Sequence, residues 1–91
     1  MRTIVIVPAH NEEGNIRNTL QDLAENGAGT DVLVINDCST DRTEAILKES
    51  GADYLSFKVN LGIGGGVQAG YQYARDHGYD IAIQFDGGRA A

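Results

Sequence analysis

The sequence has few of the residues that mark several classes of protein. It holds one cysteine, Cys38, among 91 residues, so it offers neither a disulfide framework nor a cluster of thiolate metal ligands. Basic residues are also scarce, because seven Lys and Arg stand against 13 Asp and Glu, for a formal charge of −6. This balance argues against a nucleic-acid-binding surface and against adhesion to an anionic membrane.

Long apolar runs are missing as well. The N-terminal run covers only residues 3–7 and is expected to end at Pro8, the single proline of the chain. A membrane span needs about 20 apolar residues, and the core of a signal peptide about 7–15. We therefore expect a cytoplasmic protein with no membrane span and no nucleic acid among its partners.

What the sequence does contain is an alternation of short apolar runs with helical periodicity. Residues 3–7, 32–35, 54–59 and 81–85 predict strands, the third of them nearer a sheet edge. Helical spacing of apolar residues predicts a helix in each interval between them. This order is typical of βαβ units. The predicted fold is α/β: one Rossmann-like, mostly parallel sheet of about four strands with three helices, all within residues 1–91.

Polar segments follow three of the predicted strands, at residues 8–13, 36–41 and 86–88. Because parallel strands end at the same edge of a sheet, these segments are expected to meet there, where ligands bind in such folds. Asp37 and Asp86 stand directly at strand ends.

Two other acids in these segments have an ordinary explanation. Glu13 and Asp41 precede helices, where acids cap N-termini and favour the helix dipole. Asp41 and Glu44 have the spacing of a capping box.

The acidic edge predicts a particular kind of ligand. Carboxylates repel a bare phosphate, so a diphosphate fits here only if a divalent cation lies between them, as Mg²⁺ does in many proteins. The remaining acids suit a base N–H or a ribose hydroxyl. The residues alone therefore predict a nucleotide held partly through a metal ion.

The glycine-rich segment at residues 60–70 has two interpretations. Gly64, Gly66 and Ala69 match the relaxed dinucleotide fingerprint, with Asp86 about 20 residues further on. However, the segment does not directly follow a strand and belongs to the third βα unit rather than the first. Alternatively, Gly66 and Gly70 let a helix pack closely on the sheet, and Gly62 supplies a turn.

Four motifs in order carry a family resemblance: Ile6-Val-Pro-Ala-His-Asn-Glu-Glu13, Val34-Ile-Asn-Asp-Cys-Ser-Thr-Asp-Arg-Thr43, Asn60-Leu-Gly-Ile-Gly-Gly-Gly66 with Gly70, and Ile83-Gln-Phe-Asp-Gly87. Together they resemble the family-2 glycosyltransferases of the GT-A fold, in particular the polyprenyl-phosphate sugar transferases of the dolichol-phosphate mannosyltransferase type. The resemblance covers about residues 1–87 and implies transfer of a sugar from a nucleoside-diphosphate donor.

The resemblance assigns donor binding to seven residues: Pro8, His10, Glu12, Ile35, Asp37, Asp86 and Gly87. Asp37 is expected to meet the base N–H. Asp86 is expected to be the first acid of the family's D-x-D motif and to bind Mg²⁺ or Mn²⁺. Gly88 stands where the second acid is usual, which should weaken the cation site.

The resemblance also implies a donor-binding half-domain. The family's acceptor site and catalytic base have no counterpart in these residues, so no catalytic residue is assigned and little activity is expected of the isolated chain. The acceptor implied is a polyprenyl phosphate or a glycan, and longer relatives are expected to associate with membranes. Two alternatives stay open: a non-catalytic nucleotide-binding or assembly module that forms a homodimer through an exposed sheet edge, and an NAD-type dinucleotide-binding fragment.

Overall fold

A computed structural model describes residues 1–26, 29–59 and 62–85 of the chain. Four strands and three helices alternate over these residues, so the predicted α/β class and element order are confirmed. The elements are β1 (Thr3–Ala9), α1 (Ile16–Asn26), β2 (Thr30–Asp37), α2 (Thr43–Ser50), β3 (Asp53–Phe57), α3 (Gly62–Asp76) and β4 (Ile81–Gln84). No helix within the described ranges is long and apolar enough to cross a membrane.

The four strands form one sheet in the order β3-β2-β1-β4, and each neighbouring pair is parallel. The third strand lies at an edge, as its weaker pattern predicted. The chain moves outward from β1 through β2 to β3 and then crosses back to place β4 on the other side of β1. Strand order therefore reverses between β1 and β4, and the crevice outside such a reversal is where open α/β sheets bind ligands.

Helices cover both faces of the two central strands. On one face, the buried cluster under α1 and α2 includes Val5, Val7, Val34, Ile46 and Leu47. On the other, the cluster beside α3 includes Ile4, Ile6, Leu33, Ile35 and Ala74. Because β1 and β2 bury side chains on both faces, their sequences are continuous apolar runs rather than alternating ones.

The glycine-rich segment is helical from Gly62, where α3 begins, so the interpretation that Gly62 supplies a turn before the helix is wrong. The low helix propensity of glycine favoured a loop. Packing outweighs that preference: an ideal Cβ on Gly70 would lie 2.6 Å from Cγ2 of Ile6, and one on Gly66 would lie 3.3 Å from Cγ2 of Ile35. The interpretation that these two glycines bring the helix close to the sheet is confirmed.

The end of β1 also differs from the prediction, because Pro8 lies inside the strand and Ala9 ends it. The carbonyl of Ile6 accepts a hydrogen bond from the N–H of Phe85 at 2.8 Å, so Ile6 faces β4. The backbone nitrogen of Pro8, two residues further on, points to the same side of β1. It lies beyond Ile6 with Gln84, the last described pair of the β1–β4 ladder. The missing N–H therefore costs no described ladder bond, which is how a strand tolerates proline.

Candidate functional site

Three of the predicted site residues lie on one face of the sheet, near its carboxyl edge. Pro8 pairs with Ile35 across the β1–β2 ladder, and Asp37 is the last residue of β2. Side chains alternate along a strand. Because Ile6 and Leu33 belong to the cluster beside α3, alternation also places Pro8, Ile35 and Asp37 on the α3 face.

The burial of these three residues differs. Pro8 is half-buried, Asp37 keeps 8% of its surface exposed, and Ile35 keeps none. Ile35 lies directly beneath Gly66, in the second turn of α3. Contacts of all three with a nucleotide stay predictions.

Two loops meet at this edge, and we call them the rim loops: residues 10–15 after β1 and residues 38–42 after β2. His10 opens the first of them, and its Nδ1 lies 2.6 Å from the carbonyl oxygen of Asp37. Two residues that sequence analysis assigned to one pocket, 27 positions apart, are therefore in direct contact.

Further hydrogen bonds join the rim loops along their length. The N–H of Asn11 donates to Oγ of Ser39 at 3.0 Å, and the N–H of Thr40 donates to Oδ1 of Asn11 at 2.7 Å. The N–H of Glu12 donates to Oγ1 of Thr43, the first residue of α2, at 2.9 Å. The structure thus holds the backbone of Glu12, another predicted site residue, against the start of α2.

Asp41 serves the structure of this edge. Its Oδ1 accepts from the N–H of Thr43 at 2.9 Å and from its hydroxyl at 2.5 Å, while Oδ2 accepts from the N–H of Glu13 at 3.1 Å. Desolvation alone would raise the pKa of Asp41, but the hydrogen bonds from Thr43 and Glu13 outweigh it and hold that pKa below its ordinary value. The predicted capping box is wrong, because Arg42, not Asp41, is the N-cap residue. Asp41 instead accepts from the first N–H of α2 from the position before the cap.

The second rim loop is also tied to β3. The N–H of Cys38 donates to the carbonyl of Phe57 at 2.8 Å, and its Sγ lies 3.3 Å from the carbonyl oxygen of Lys58. Cys38 has a φ of 55°, which is uncommon for a residue with a side chain. The thiol thus belongs to the turn that leaves β2.

The predicted metal ligand cannot be assessed in the same way. Asp86 and Gly87 lie outside the described residues. Within residues 1–26, 29–59 and 62–85, no group of three or more His, Cys, Asp or Glu side chains is placed to hold a metal ion. The cation site at Asp86 stays a prediction.

Comparison with known proteins agrees with this architecture. The model of a protein family described as glycosyl transferase family 2 matches residues 4–83. This chain belongs to glycosyl transferase family 2. The predicted family is thereby confirmed.

Named relatives include two sugar transferases. The undecaprenyl-phosphate mannosyltransferase of Micrococcus luteus is 32% identical over a gapped alignment of 91 positions, which covers 94% of this chain and 37% of that protein. The UDP-N-acetylglucosamine–dolichyl-phosphate N-acetylglucosaminyltransferase of Methanococcus voltae is 29% identical over a gapped alignment of 99 positions, which covers 90% of this chain and 39% of that protein. The chain thus spans less than two-fifths of the length of these relatives.

Solved structures support the fold. The crystal structure of S. aureus TarS superimposes with a TM-score of 0.68 at 24% sequence identity, covering 96% of this chain and 16% of that one. The likeness extends over nearly the whole chain, so the sheet and its helices form a GT-A-like α/β unit.

Sequence reasoning missed the contacts between the rim loops. Asn11 stands in the first of the four motifs without an assigned role, yet its φ of 52° and its bonds to the second loop give it one. One signal was available: asparagine is among the few residues with side chains that adopt positive φ readily. Ser39 and Thr40, short hydroxyl residues between a strand end and a helix, are the natural partners for such a loop.

Proposed function

We propose that this chain binds the nucleoside-diphosphate sugar, a UDP- or GDP-sugar, from which the full-length glycosyltransferase transfers its sugar. The observation that carries the proposal is the contact of His10 with Asp37 at the carboxyl edge, beside the reversal of strand order between β1 and β4. It supports a pocket built jointly by the first two strand ends. Residues 1–91 would then be a donor-binding half-domain.

The chemistry of this edge suits the two ends of such a donor. The carboxylate of Asp37 can accept a hydrogen bond from a base N–H, and the ring of Pro8 offers an apolar wall beside it. The first turn of α3 starts at Gly62 and contains no acidic residue. Its N–H groups lack partners within the helix, so together with the helix dipole they favour a diphosphate.

A divalent cation forms part of the proposal through the family resemblance. Asp86 would hold Mg²⁺ or Mn²⁺, and Gly88, in place of a second acid, would weaken the binding. When bound, such an ion neutralises charge on a leaving diphosphate.

The proposed acceptor is a polyprenyl phosphate, since the names of both relatives above include one, undecaprenyl phosphate or dolichyl phosphate. Because this chain corresponds to less than two-fifths of each relative, acceptor binding and proton transfer would depend on residues outside it. We therefore expect donor binding with little transfer by the isolated chain.

The prediction of a cytoplasmic location stays a prediction.

Calorimetric titration of the full chain with UDP and with GDP, each with and without Mn²⁺, tests donor binding. Asp37→Asn should weaken the preferred nucleotide about 10- to 100-fold with or without the metal, the cost of losing a hydrogen bond to a charged group. Asp76→Asn is the matched control, because Asp76 ends α3 and its side chain is 68% exposed. Absence of binding at millimolar nucleotide, or equal affinities of the two variants, would contradict the proposal.

The metal arm has its own comparison. Asp86→Asn should abolish any increase in affinity that Mn²⁺ gives to the unsubstituted chain, while leaving metal-free binding intact. If Mn²⁺ raises the nucleotide affinity of both proteins equally, Asp86 is not a ligand of the cation.

Assembly through the sheet edge is a second candidate function, and one observation favours it. Ile81 and Ile83 on edge strand β4 expose 38% and 49% of their surfaces, and exposed edge strands pair readily with other chains. Light scattering should then show a mass that rises with concentration, and Ile83→Lys should return it to that of a monomer. A constant monomer mass for the unsubstituted chain would exclude this mode of assembly.

A further inference from the structure

We infer that Asn11 is a positioning residue of the proposed donor pocket, which joins the rim loops and holds His10 as the Nδ1–H tautomer against Asp37. The inference concerns the architecture of the edge, and its consequence for ligand affinity rests on the proposed function. Asn11 is exposed and has no place among the residues predicted to touch the donor.

The first step is the set of contacts around Asn11. Its Oδ1 accepts from the N–H of Thr40 at 2.7 Å and lies 3.3 Å from the hydroxyl of Thr40. Its own N–H donates to Ser39, and its Nδ2 lies 3.4 Å from Nε2 of His10. One residue thus contacts the opposite rim loop through both its backbone and its side chain.

The second step is the orientation of the Asn11 amide. A backbone N–H can only donate, so the amide atom facing Thr40 must be the oxygen. The amide nitrogen, which can only donate, is then the atom that faces His10. This assignment follows from the partners and does not depend on telling nitrogen from oxygen by position alone.

The third step fixes the proton on His10. Nε2 faces the donor Nδ2 of Asn11 and must accept, while Nδ1 faces the carbonyl oxygen of Asp37 and must donate. Both contacts agree on a neutral ring that carries its proton on Nδ1. Since each ring nitrogen has a partner, the plane of the ring is set by Asn11 on one side and Asp37 on the other.

The fourth step explains why the residue is asparagine. The backbone has a φ of 52°, which asparagine, aspartate and glycine adopt more easily than other residues. Aspartate would keep the acceptor for Thr40 but lose the donor for His10. Glycine would keep the backbone conformation and lose both side-chain contacts. These two substitutions therefore separate the tautomer contact from the loop contact.

Long-range ¹H–¹⁵N correlation spectra of the full chain at a pH of about 8.5, where unperturbed imidazole is neutral, test the assignment directly. We expect a protonated Nδ1 and an unprotonated Nε2 for His10. Asn11→Asp should shift the ¹⁵N resonances of the His10 ring. It should leave those of His77 unchanged, because the carbonyl of His77 accepts from Arg2 at the opposite end of β1. Asn18→Asp, the same chemical change at an exposed position of α1, is the control and should move neither ring.

A proton on Nε2 of His10 in the unsubstituted chain would overturn the inference, whatever the variants do. So would His10 signals that are identical in the Asn11→Asp protein. These measurements need no nucleotide, so they stand if the proposed donor binding fails.

The affinity arm then addresses positioning. Asn11→Gly should weaken UDP or GDP about 5- to 10-fold, the effect of losing one or two hydrogen bonds that order the pocket, and Asn11→Asp by less. Asn18→Asp should bind as the unsubstituted chain does. If that chain binds nucleotide and Asn11→Gly binds it equally well, the positioning role is refuted while donor binding survives.

Discussion

The contact of α3 with β1 leads to a sharp prediction about Gly70. A Cβ added there would lie 2.6 Å from Cγ2 of Ile6, 3.0 Å from its Cδ1 and 3.1 Å from its Cγ1. Ile6 is fully buried, and Cγ2 is bonded directly to a branched Cβ whose χ1 is stiff. The methyl group therefore cannot swing away, and Gly70→Ala must displace the helix or strain the isoleucine.

Two opposing effects set the magnitude. Overpacking a well-filled core costs about 1–3 kcal/mol. Replacing glycine by alanine inside a helix gains about 1 kcal/mol. We expect a net loss of about 1 kcal/mol in the free energy of unfolding, which lowers the Tm of a domain this size by about 4–8 °C.

The same substitution at two other glycines provides the comparison. At Gly66 the new Cβ would lie 3.3 Å from Ile35, so a shift of a few tenths of an ångström suffices and the helix-propensity gain should prevail. At Gly14 nothing lies within 4 Å, so that variant reports the effect of alanine without a core contact. Urea denaturation should therefore rank Gly70→Ala as the least stable of the three.

A double-mutant cycle tests whether the stability lost in Gly70→Ala comes from the contact with Ile6. Ile6→Leu conserves volume and moves the branch away from Cβ, which removes the methyl group nearest the new atom. Gly70→Ala should cost less in the Ile6→Leu background than in the unsubstituted chain. Equal stability of the Gly66 and Gly70 variants, or a cycle with no coupling, would refute the packing argument.

Three further predictions concern hydrogen bonds at the two ends of the sheet. Thr43→Val should lower the free energy of unfolding by about 1–3 kcal/mol in urea, because the fully buried hydroxyl bonds both Glu12 and Asp41. The pKa of Asp41 is lowered from 3.8 in the folded chain, so its contribution to the free energy of unfolding is complete above pH 3.8 and is lost as the pH falls through the lower folded value. When the free energy of unfolding is measured against pH, Asp41→Asn should reduce this loss at acid pH. The hydroxyl of Tyr79 donates to Asp31, and this bond raises the pKa of Tyr79 above 10.0. The stability that the bond gives is therefore complete below pH 10.0 and should be lost as the pH rises through the raised value. Tyr79→Phe should remove this loss of stability at alkaline pH.

Much of the fold could be predicted because its two central strands are buried on both faces. The runs at β1 and β2 admit few other interpretations, and the order of elements then restricts the topology to a parallel sheet. The glycine segment was harder, because helix propensity and tertiary packing favour different structures. Gly66 and Gly70 lie within α3 because of their contacts with Ile35 and Ile6, which are distant in sequence.

The candidate site, like the fold, could be predicted only in part from the sequence. Asp37 could be placed at the edge from its position at a strand end, since the sheet alone determines where that end lies. Its contact with His10, and the role of Asn11, depend on backbone conformations at single loop residues and on partners 27 to 29 positions away. Local sequence patterns do not encode such pairings, and the positive φ of Asn11 became informative only with its partners in view.

The central place of β1 in the sheet has a consequence for how the chain acquires its structure. Arg2, at the foot of that strand, and Asp80, just before β4, are joined by a hydrogen bond across 78 positions of sequence. During synthesis β1 can pair with β2 early, but its opposite side stays uncovered until β4 has left the ribosome. Closing so long a loop is slow. Until β4 pairs with β1, the unpaired side of β1 is open to association with other nascent chains.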